Sequence, residues 1–467
     1  MSSGPTTALI MAAGAGTRMR SALPKMLHPV CGRPMITWPI IAARSAGVER
    51  VAVIVSPDRD LGDALPEGVE TVVQPESDGT GGAVRAAIEI VRESKEVIVL
   101  SGDVPLVSTE VISELLAAHR DSGAAATVMS AILENPGTYG RVVRDADGAV
   151  AKIVEAKEPG DATEAELQIK EINSGTYVFQ ADSLVTALGE VSSDNAQGEY
   201  YLPDVLAIMR SRDEPVAAFV AEDIAVNLGI NNRVDLAAVE AEARQRILRR
   251  HMLNGVTIVD PVSTWIDADV IIGADARIEP GTSLRGATEI GESAVIGPHS
   301  TVIDSGIGAR SLVINSHLVL CEVMEDCSVG PFAYLRPGAL LEDGSKAGTF
   351  VEIKNSRLGA GAKVPHLSYV GDADLGEGAN LGAGTITANY DGVRKHRTVV
   401  GPGARVGVDT MLVAPVEIGE GAYTGAGAVI RENVPPRSLA VSRGDQRTIE
   451  EYAERRMARE AEQESDS

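Results

Sequence analysis

The sequence predicts two folds in tandem: an α/β unit with a Rossmann-like, mainly parallel sheet, then a left-handed parallel β-helix of hexapeptide repeats. Three observations lead there. Up to residue 233, short β-rich runs alternate with helical patterns, as in a sheet covered by helices on both faces. From Gly255 onward an aliphatic residue followed by glycine recurs at steps of six or near-multiples of six. Between them, residues 234–254 carry one unbroken helical period.

In chain order, Ala8–Ile10 reads as a strand running into a glycine-rich loop, Ile36–Ala46 as helix, Val51–Val55 as strand and Ala83–Val91 as helix. Val97–Leu100 is a buried strand leading into Ser101–Gly102–Asp103, and Val111–His119 is helix again. In such a sheet the ligand lies off the carboxyl ends of the strands, where Gly14–Met19 and Asp103 both fall. Asn232 with Asp235 three residues on opens the next helix, which carries the apolar stripe Leu236, Val239, Ala243 and Ile247. Gly255 stands where a C-cap glycine belongs.

The repeat then runs through Ile272–Gly273, Ile290–Gly291, Ile296–Gly297, Ile307–Gly308, Val329–Gly330 and Leu358–Gly359 to Ile418–Gly419. The aliphatic side chain packs inward and the small residue permits the corner. Three such strands close a coil of about 18 residues, so roughly ten coils reach to about Ala440. The expected division is a first domain over 1–233, a linker helix over 234–254 and the β-helix domain over 255–467. Within the last, Gln446–Ser467 is polar and acidic and reads as a helix followed by a disordered tail. Gly384–Val399 breaks the rhythm and carries Arg394, Lys395, His396 and Arg397. It reads as an arm that holds a polyanion, the alternative being a solvated loop.

Composition narrows the function. Apolar residues make up 44% and charged residues 23%, ordinary values for a soluble globular protein. A net charge of −24 argues against a nucleic-acid binder and against docking on an anionic membrane. An anionic small molecule would need local Lys and Arg to overcome that field. Aromatic residues are 3% of the chain, which disfavours an aromatic cage, while 48 glycines favour tight turns. Cys31, Cys321 and Cys327 have neither metal-binding nor disulfide-framework spacing, and no secretory leader or membrane span is read, so a cytoplasmic protein is expected.

The first chemistry lies in MAAGAGTRMRSALPKMLHPV, residues 11–30. Closely spaced glycines turn backbone N–H groups toward phosphate oxygens, and Arg18 and Lys25 add charge where a triphosphate would lie. It is not a dinucleotide fingerprint, since Met19 takes the third glycine position, nor a P-loop, since no GK[ST] follows. GAGTRM-x5-K resembles the signature of the sugar-nucleotide pyrophosphorylase superfamily. With the β-helix behind it, the chain from about Ala8 to Arg443 is similar to the bifunctional N-acetylglucosamine-1-phosphate uridylyltransferase / glucosamine-1-phosphate N-acetyltransferase family.

The resemblance implies that Met11, Ala12, Ala13 and Gly14 line the nucleotide, and that Gln74, Gly79 and Thr80 contact the uracil. It implies a Ser101–Gly102–Asp103 turn with Asp103 as a metal ligand, and a sugar held by Gly140, Glu155 and Asn173. Asn231, in GINNR, completes the Mg²⁺ site; Asn227 nearby lacks that context. A sugar-1-phosphate oxygen would attack the α-phosphorus of UTP and pyrophosphate would leave, a reaction served by positioning and charge neutralisation. Mg²⁺ takes few protein oxygens, and one carboxylate with one amide suits it.

The strings GPFAYLRPGA, FVEIKNSRLGAGAKVPHLSYVGDA and NLGAGTITANYDG closely match the family's acetyltransferase core. The match implies Arg336 and Lys354 on the sugar phosphate and His366 as general base, with Glu352 as a candidate to orient it. It implies that Tyr369, Asn380, Asn389 and Tyr390 position sugar and thioester, with Ala383, Ala426 and Arg443 along acetyl-CoA and Lys395 near the phosphate or the cofactor. The amine of glucosamine-1-phosphate must lose a proton to attack the thioester, work suited to an imidazole. Val408 departs from the pattern: the family usually has serine there, associated with the acetyl-CoA contact. Pro365 stiffens the approach to the base.

The implied role is UDP-N-acetylglucosamine synthesis, which supplies peptidoglycan and other envelope polymers, by a homotrimer with acyl sites between neighbouring prisms. The sequence leaves three rivals. One is a nucleotidyltransferase whose β-helix only oligomerises or regulates. Another is a non-catalytic scaffold. The third is a zinc β-helix using His299 and His317, which stand about one coil apart and read as stackable.

Overall fold

The computed structural model describes residues 4–156, 161–194, 198–442 and 448–457. Two compact units emerge. One runs to Arg250 and takes in Ile266–Asp269; the other comprises His251–Trp265 and the chain from Val270 on.

The central path of the first unit's sheet runs Val216–Val220, Ala126–Ile132, Glu171–Gln180, Glu96–Ser101, Thr6–Met11, Arg50–Val55, Glu70–Val73. All neighbours on it are parallel except Glu171–Gln180, which is antiparallel to both of its own. Leu9, Ile10, Val53, Ile54, Ile98 and Leu100 are wholly buried, as expected for strands covered on both faces. Met11 pairs with Ser101, so the glycine loop and the Asp103 turn leave the sheet side by side. The antiparallel strand has no signal in the pattern of short runs. Its register shifts between Asn173 and Tyr177 around Gly175 (φ 78°), a bulge of the kind that re-aims side chains beside sites.

The helix expected over Ala83–Val91 is two, Thr80–Ala86 and Ile88–Glu93, parted at Ala87 (φ −94°, ψ 18°). The long helix is Arg233–Leu253. The Asn232 side-chain oxygen accepts from the N–H groups of Val234 (2.8 Å) and Asp235 (3.1 Å). The Asp235 carboxylate returns to the N–H groups of Asn231 and Asn232 (2.8 and 3.2 Å), a reciprocal cap. Val239, Ala243 and Ile247 are buried, and the helix counts with the first unit through Arg250.

The second unit is three parallel ladders of 11, 10 and 9 strands spanning Thr257 to Ala440. Every aliphatic member of the repeat pairs quoted above is buried. The glycine after it answers to a close approach. A Cβ on Gly273, Gly291, Gly382 or Gly401 would lie 2.5–2.7 Å from backbone of the next coil. Lys363 pairs with Asn380 across an ordinary coil, but Asn380 pairs with Arg405 across a longer one, which carries an inserted arm between Ala388 and Thr398. His299 and His317 do not share a column. His299 donates its N–H to Pro280 and lies beneath Asn315, whereas His317 pairs with Thr301, because the coil between them is shorter than a regular one.

Candidate active sites

In the first unit the loop after Met11 is shaped by two glycines. Gly16 sits at φ 60° with Lys25 packed where a side chain would be. Gly102 lies against Met11 and Ile36, and a Cβ there would meet the Met11 carbonyl at 2.9 Å and Ile36 at 2.8 Å. Gly102 thereby sets the turn that delivers Asp103. The Asp103 carboxylate receives the Ser101 hydroxyl (2.8 Å) and the Lys25 ammonium (2.5 Å). The Asn231 side-chain oxygen receives Arg18 (2.8 Å). Two hard oxygen donors are thus held by the two loop cations, and they stand at one spot. A cavity of about 450 Å³ is lined by Ala13, Gly14, Lys25, Gln74, Gly79 and Thr80. Another, of about 680 Å³, is lined by Tyr139, Gly140, Glu155 and Asn173. Met11, Arg18, Ser101, Asp103 and Asn231 line both.

The side walls are braced. Buried Gln74 donates to Asp78 (2.7 Å) and to the Gly79 carbonyl (3.2 Å). Gly79, at φ 98°, lies against the Tyr200 carbonyl. Asn173 donates to the Tyr177 hydroxyl (2.7 Å) while its own N–H reaches the Gly140 carbonyl (2.9 Å). Ala12 stands back from the cavity walls. It is buried, its N–H is spent on the Ile54 carbonyl (2.8 Å), and it lines neither cavity.

In the second unit, coil stacking orders the sequence-predicted residues. Gly384 donates to the His366 carbonyl, Asp409 to that of Ala383 and Gly427 to that of Val408 (3.4, 2.7 and 2.8 Å). His366, Ala383, Val408 and Ala426 therefore form one column on four successive coils, and Asn380 lies on the ladder that ends at it. A Cβ on Gly348 would run into the Pro365 carbonyl, so glycine lets the His366 strand settle. The adjoining face is built by Tyr334–Leu335, Glu352–Lys354, Tyr369–Gly371 and Ile386–Ala388.

On that face Arg336 pairs with Glu352 (2.7 Å). Glu352 is thus taken by the arginine, and among the described residues the His366 ring makes no hydrogen bond. Lys354 meets Lys395 from the arm: the Asp372 carboxylate favours the charged form of Lys354, and Lys395 is pushed below the usual lysine range by the neighbouring Lys354. Tyr369 brings its hydroxyl over Gly371 beside the Asn389 amide. The rest of the arm is self-braced. Arg397 pairs with Asp374 (2.5 Å) and His396 with Asp391 (2.7 Å), while the exposed Tyr390 donates to Gly392 (2.7 Å). Of its cations, Lys395 joins Arg336 and Lys354. Arg443 lies outside the described residues.

A MobA-like NTP transferase domain matches residues 8–161, and the bacterial transferase hexapeptide (six repeats) matches 269–304. The bifunctional protein GlmU of Streptomyces avermitilis is 48% identical over 97% of this chain and 95% of its own length. That of Desulfitobacterium hafniense is 47% identical over 95% and 98%, and that of Mycobacterium bovis 45% over 97% and 93%. The chain belongs to the GlmU family.

It is accordingly a two-activity transferase of UDP-N-acetylglucosamine synthesis, acetylating glucosamine-1-phosphate and uridylylating N-acetylglucosamine-1-phosphate. The readings of the β-helix as a mere oligomerisation device and of the chain as a scaffold fall with that. Among the described residues no helix is long and apolar enough to cross a membrane. Sequence reasoning named neither Asp372 nor Asn355, which meet beside Lys354 and Asn389. Their one sequence signal is a regular one-coil spacing, legible once the coil length there is known.

Proposed function

We propose that this protein transfers UMP at Asp103 and Asn231 and the acetyl group at His366. The observation that carries the reading is that the glycine-loop cavity and the Glu155–Asn173 cavity share Asp103 and Asn231. A nucleotide in one and a sugar phosphate in the other would meet there. Met11, Ala13, Gly14, Gln74, Gly79 and Thr80 hold the nucleotide, and Gly140, Glu155 and Asn173 the sugar. Arg18 and Lys25, ion-paired or hydrogen-bonded to the two oxygen donors, are the local cations for the triphosphate. The donor set fits Mg²⁺, a hard ion content with one carboxylate and one amide. Bound there, it would supply charge neutralisation on phosphate oxygens. The sugar-phosphate oxygen bonds to the α-phosphorus as the bond to pyrophosphate breaks.

In the second unit, Arg336, Lys354 and Lys395 gather the sugar phosphate, and acetyl-CoA follows the column Ala383–Val408–Ala426. The His366 imidazole takes a proton from the substrate ammonium. The freed amine adds to the thioester carbon and its nitrogen gives its second proton to solvent, the carbon–sulfur bond breaks, and the proton held by the imidazole passes to the departing thiolate, leaving a neutral amide and a thiol. Tyr369, Asn380, Asn389 and Tyr390 orient the reactants. A homotrimer fits this arrangement. Phe332, Phe350 and Leu367 are each more than half exposed at one corner, with the phenyl rings stacked at 5.3 Å next to His366, and a second copy is the apolar partner they suit. We place the enzyme in the cytoplasm, where UTP and acetyl-CoA are supplied, with no nucleic-acid or membrane partner.

The test supplies glucosamine-1-phosphate, acetyl-CoA, UTP and Mg²⁺ and follows both products. Asp103→Asn should cut uridylyl transfer at least a hundredfold and spare acetyl transfer. His366→Ala should abolish CoA release and spare uridylylation of N-acetylglucosamine-1-phosphate. Equal loss of both activities in either variant refutes the assignment.

A further inference from the structure

Asn355, Asp372 and Asn389 stack at one corner, at matching positions of three successive coils. Asp372 is the middle member and only 7% exposed. One of its carboxylate oxygens accepts the Asn355 amide at 2.6 Å. The other accepts the Asn389 amide at 2.5 Å and lies 3.5 Å from the Lys354 ammonium. The backbone pins it as well: its N–H donates to the Lys354 carbonyl (3.0 Å), and its carbonyl accepts from Thr398, where the arm rejoins the coil (3.1 Å). Burial opposes ionisation of this carboxyl, yet the two amides and the lysine hold its pKa below the usual range. A buried carboxylate is costly unless it is paired and hydrogen-bonded, and this one is both.

We propose that Asp372 is a positioning residue for acetyl transfer, which locks the Asn389 amide with its oxygen turned away from the carboxylate and supplies the counter-charge that lets Lys354 stand beside Lys395 as an ammonium. Three cations converge where the sugar phosphate would bind; Arg336 has the partly exposed Glu352, and among the described residues Asp372 is the buried carboxylate that faces Lys354. The carboxylate settles two matters at once. It fixes which end of the Asn389 amide is presented to the reactants, and it keeps a like-charged lysine pair protonated. This deepens the proposed function and rests on its placing the sugar phosphate on this face.

Asp372→Asn keeps the size of the side chain and removes the charge. The expected result is an acetyl-transfer kcat at least tenfold lower. The KM for glucosamine-1-phosphate should begin to rise at a pH at least one unit lower than in the parent, because the lysine pair sheds a proton more readily. The KM for acetyl-CoA, uridylyl transfer and thermal midpoint should be unchanged. A purely structural role would lower the midpoint and leave the pH profile in place, and that outcome overturns the proposal. Should Asp372→Asn not fold, Asn355→Ala frees one carboxylate oxygen only. It should lower kcat about threefold at constant midpoint, and unchanged kcat and KM overturn the proposal. His366→Ala in parallel separates the two levels. If it keeps acetyl transfer, the site assignment itself fails. If it is inactive while Asp372→Asn behaves as the parent, the positioning role alone fails.

Discussion

Val408 shows what one residue can reveal. It is 51% exposed in the column that runs from His366 to Ala426, and its side chain can offer acetyl-CoA no hydrogen bond. A hydroxyl there would add a contact worth about 1 kcal/mol. Val408→Ser should therefore lower the KM for acetyl-CoA about fivefold, read in a thiol-release assay, with uridylyl transfer unchanged. Gly102 makes the complementary case. A methyl group there would press on Ile36 and the Met11 carbonyl, so Gly102→Ala should tilt the Asp103 turn and cost at least tenfold in uridylyl kcat, leaving acetyl transfer intact. Where a local string carries single residues, the structure brings them to a shared place: Lys25, Asp103 and Asn231 line one cavity, and His366 stands in one column with Ala383. Asp372 was not legible in the sequence, because its partners lie one coil away on either side and meet it only through coil stacking. Ala12 stands in the same string as Ala13 and Gly14, with its side chain buried against the sheet.

Elements that are set by local periodicity were readable: the strands, the long helix with its Asn232 cap, and the coils. Those that depend on partners distant in sequence were not, and the antiparallel Glu171–Gln180 strand, inserted between Glu96–Ser101 and Ala126–Ile132, is the clearest instance. The repeat glycines permit close coil spacing. A Cβ on Gly401 would stand 2.6 Å from the Glu420 nitrogen, so Gly401→Ala should cost about 2 kcal/mol of stability in the β-helix, measured by denaturant unfolding. In the first unit His119 anchors the helix Thr109–Ser122 to the sheet. It is fully buried, with Thr127 at 2.9 Å and Gln180 at 3.4 Å. Burial lowers its pKa from 6.5 to about 4. The folded state therefore binds fewer protons than the unfolded chain between those values. Stability is complete above pH 6.5 and falls by about 3 kcal/mol on the way down to pH 4. Acid unfolding should start below pH 6.5, and His119→Gln should flatten the dependence of the thermal midpoint on pH.

At the scale of the whole molecule, a net charge of −24 must be reconciled with anionic substrates and with assembly. On the proposed reading, substrates are met by small groups of cations, Arg18 with Lys25 in one unit and Arg336, Lys354 and Lys395 in the other. Assembly calls for a surface on which mutual repulsion is outweighed, and copies of an acidic chain associate best through apolar contact. The corner that carries Phe332, Phe350 and Leu367 is the surface proposed for it. These residues project at positive φ from consecutive coils, where the backbone favours glycine, so large apolar side chains there carry a conformational cost that the coil itself does not repay. Phe350→Glu should convert the proposed trimer to monomer in sedimentation, because it places a carboxylate at the centre of the ladder. Acetyl transfer should fall at least tenfold, since the corner adjoins His366, while uridylyl transfer, whose residues all belong to the first unit, should persist. Raising the salt concentration should not restore the trimer, for screening removes repulsion between charges but does not replace lost apolar contact. A variant that remained trimeric with full acetyl transfer would move the subunit contact to another face of the prism.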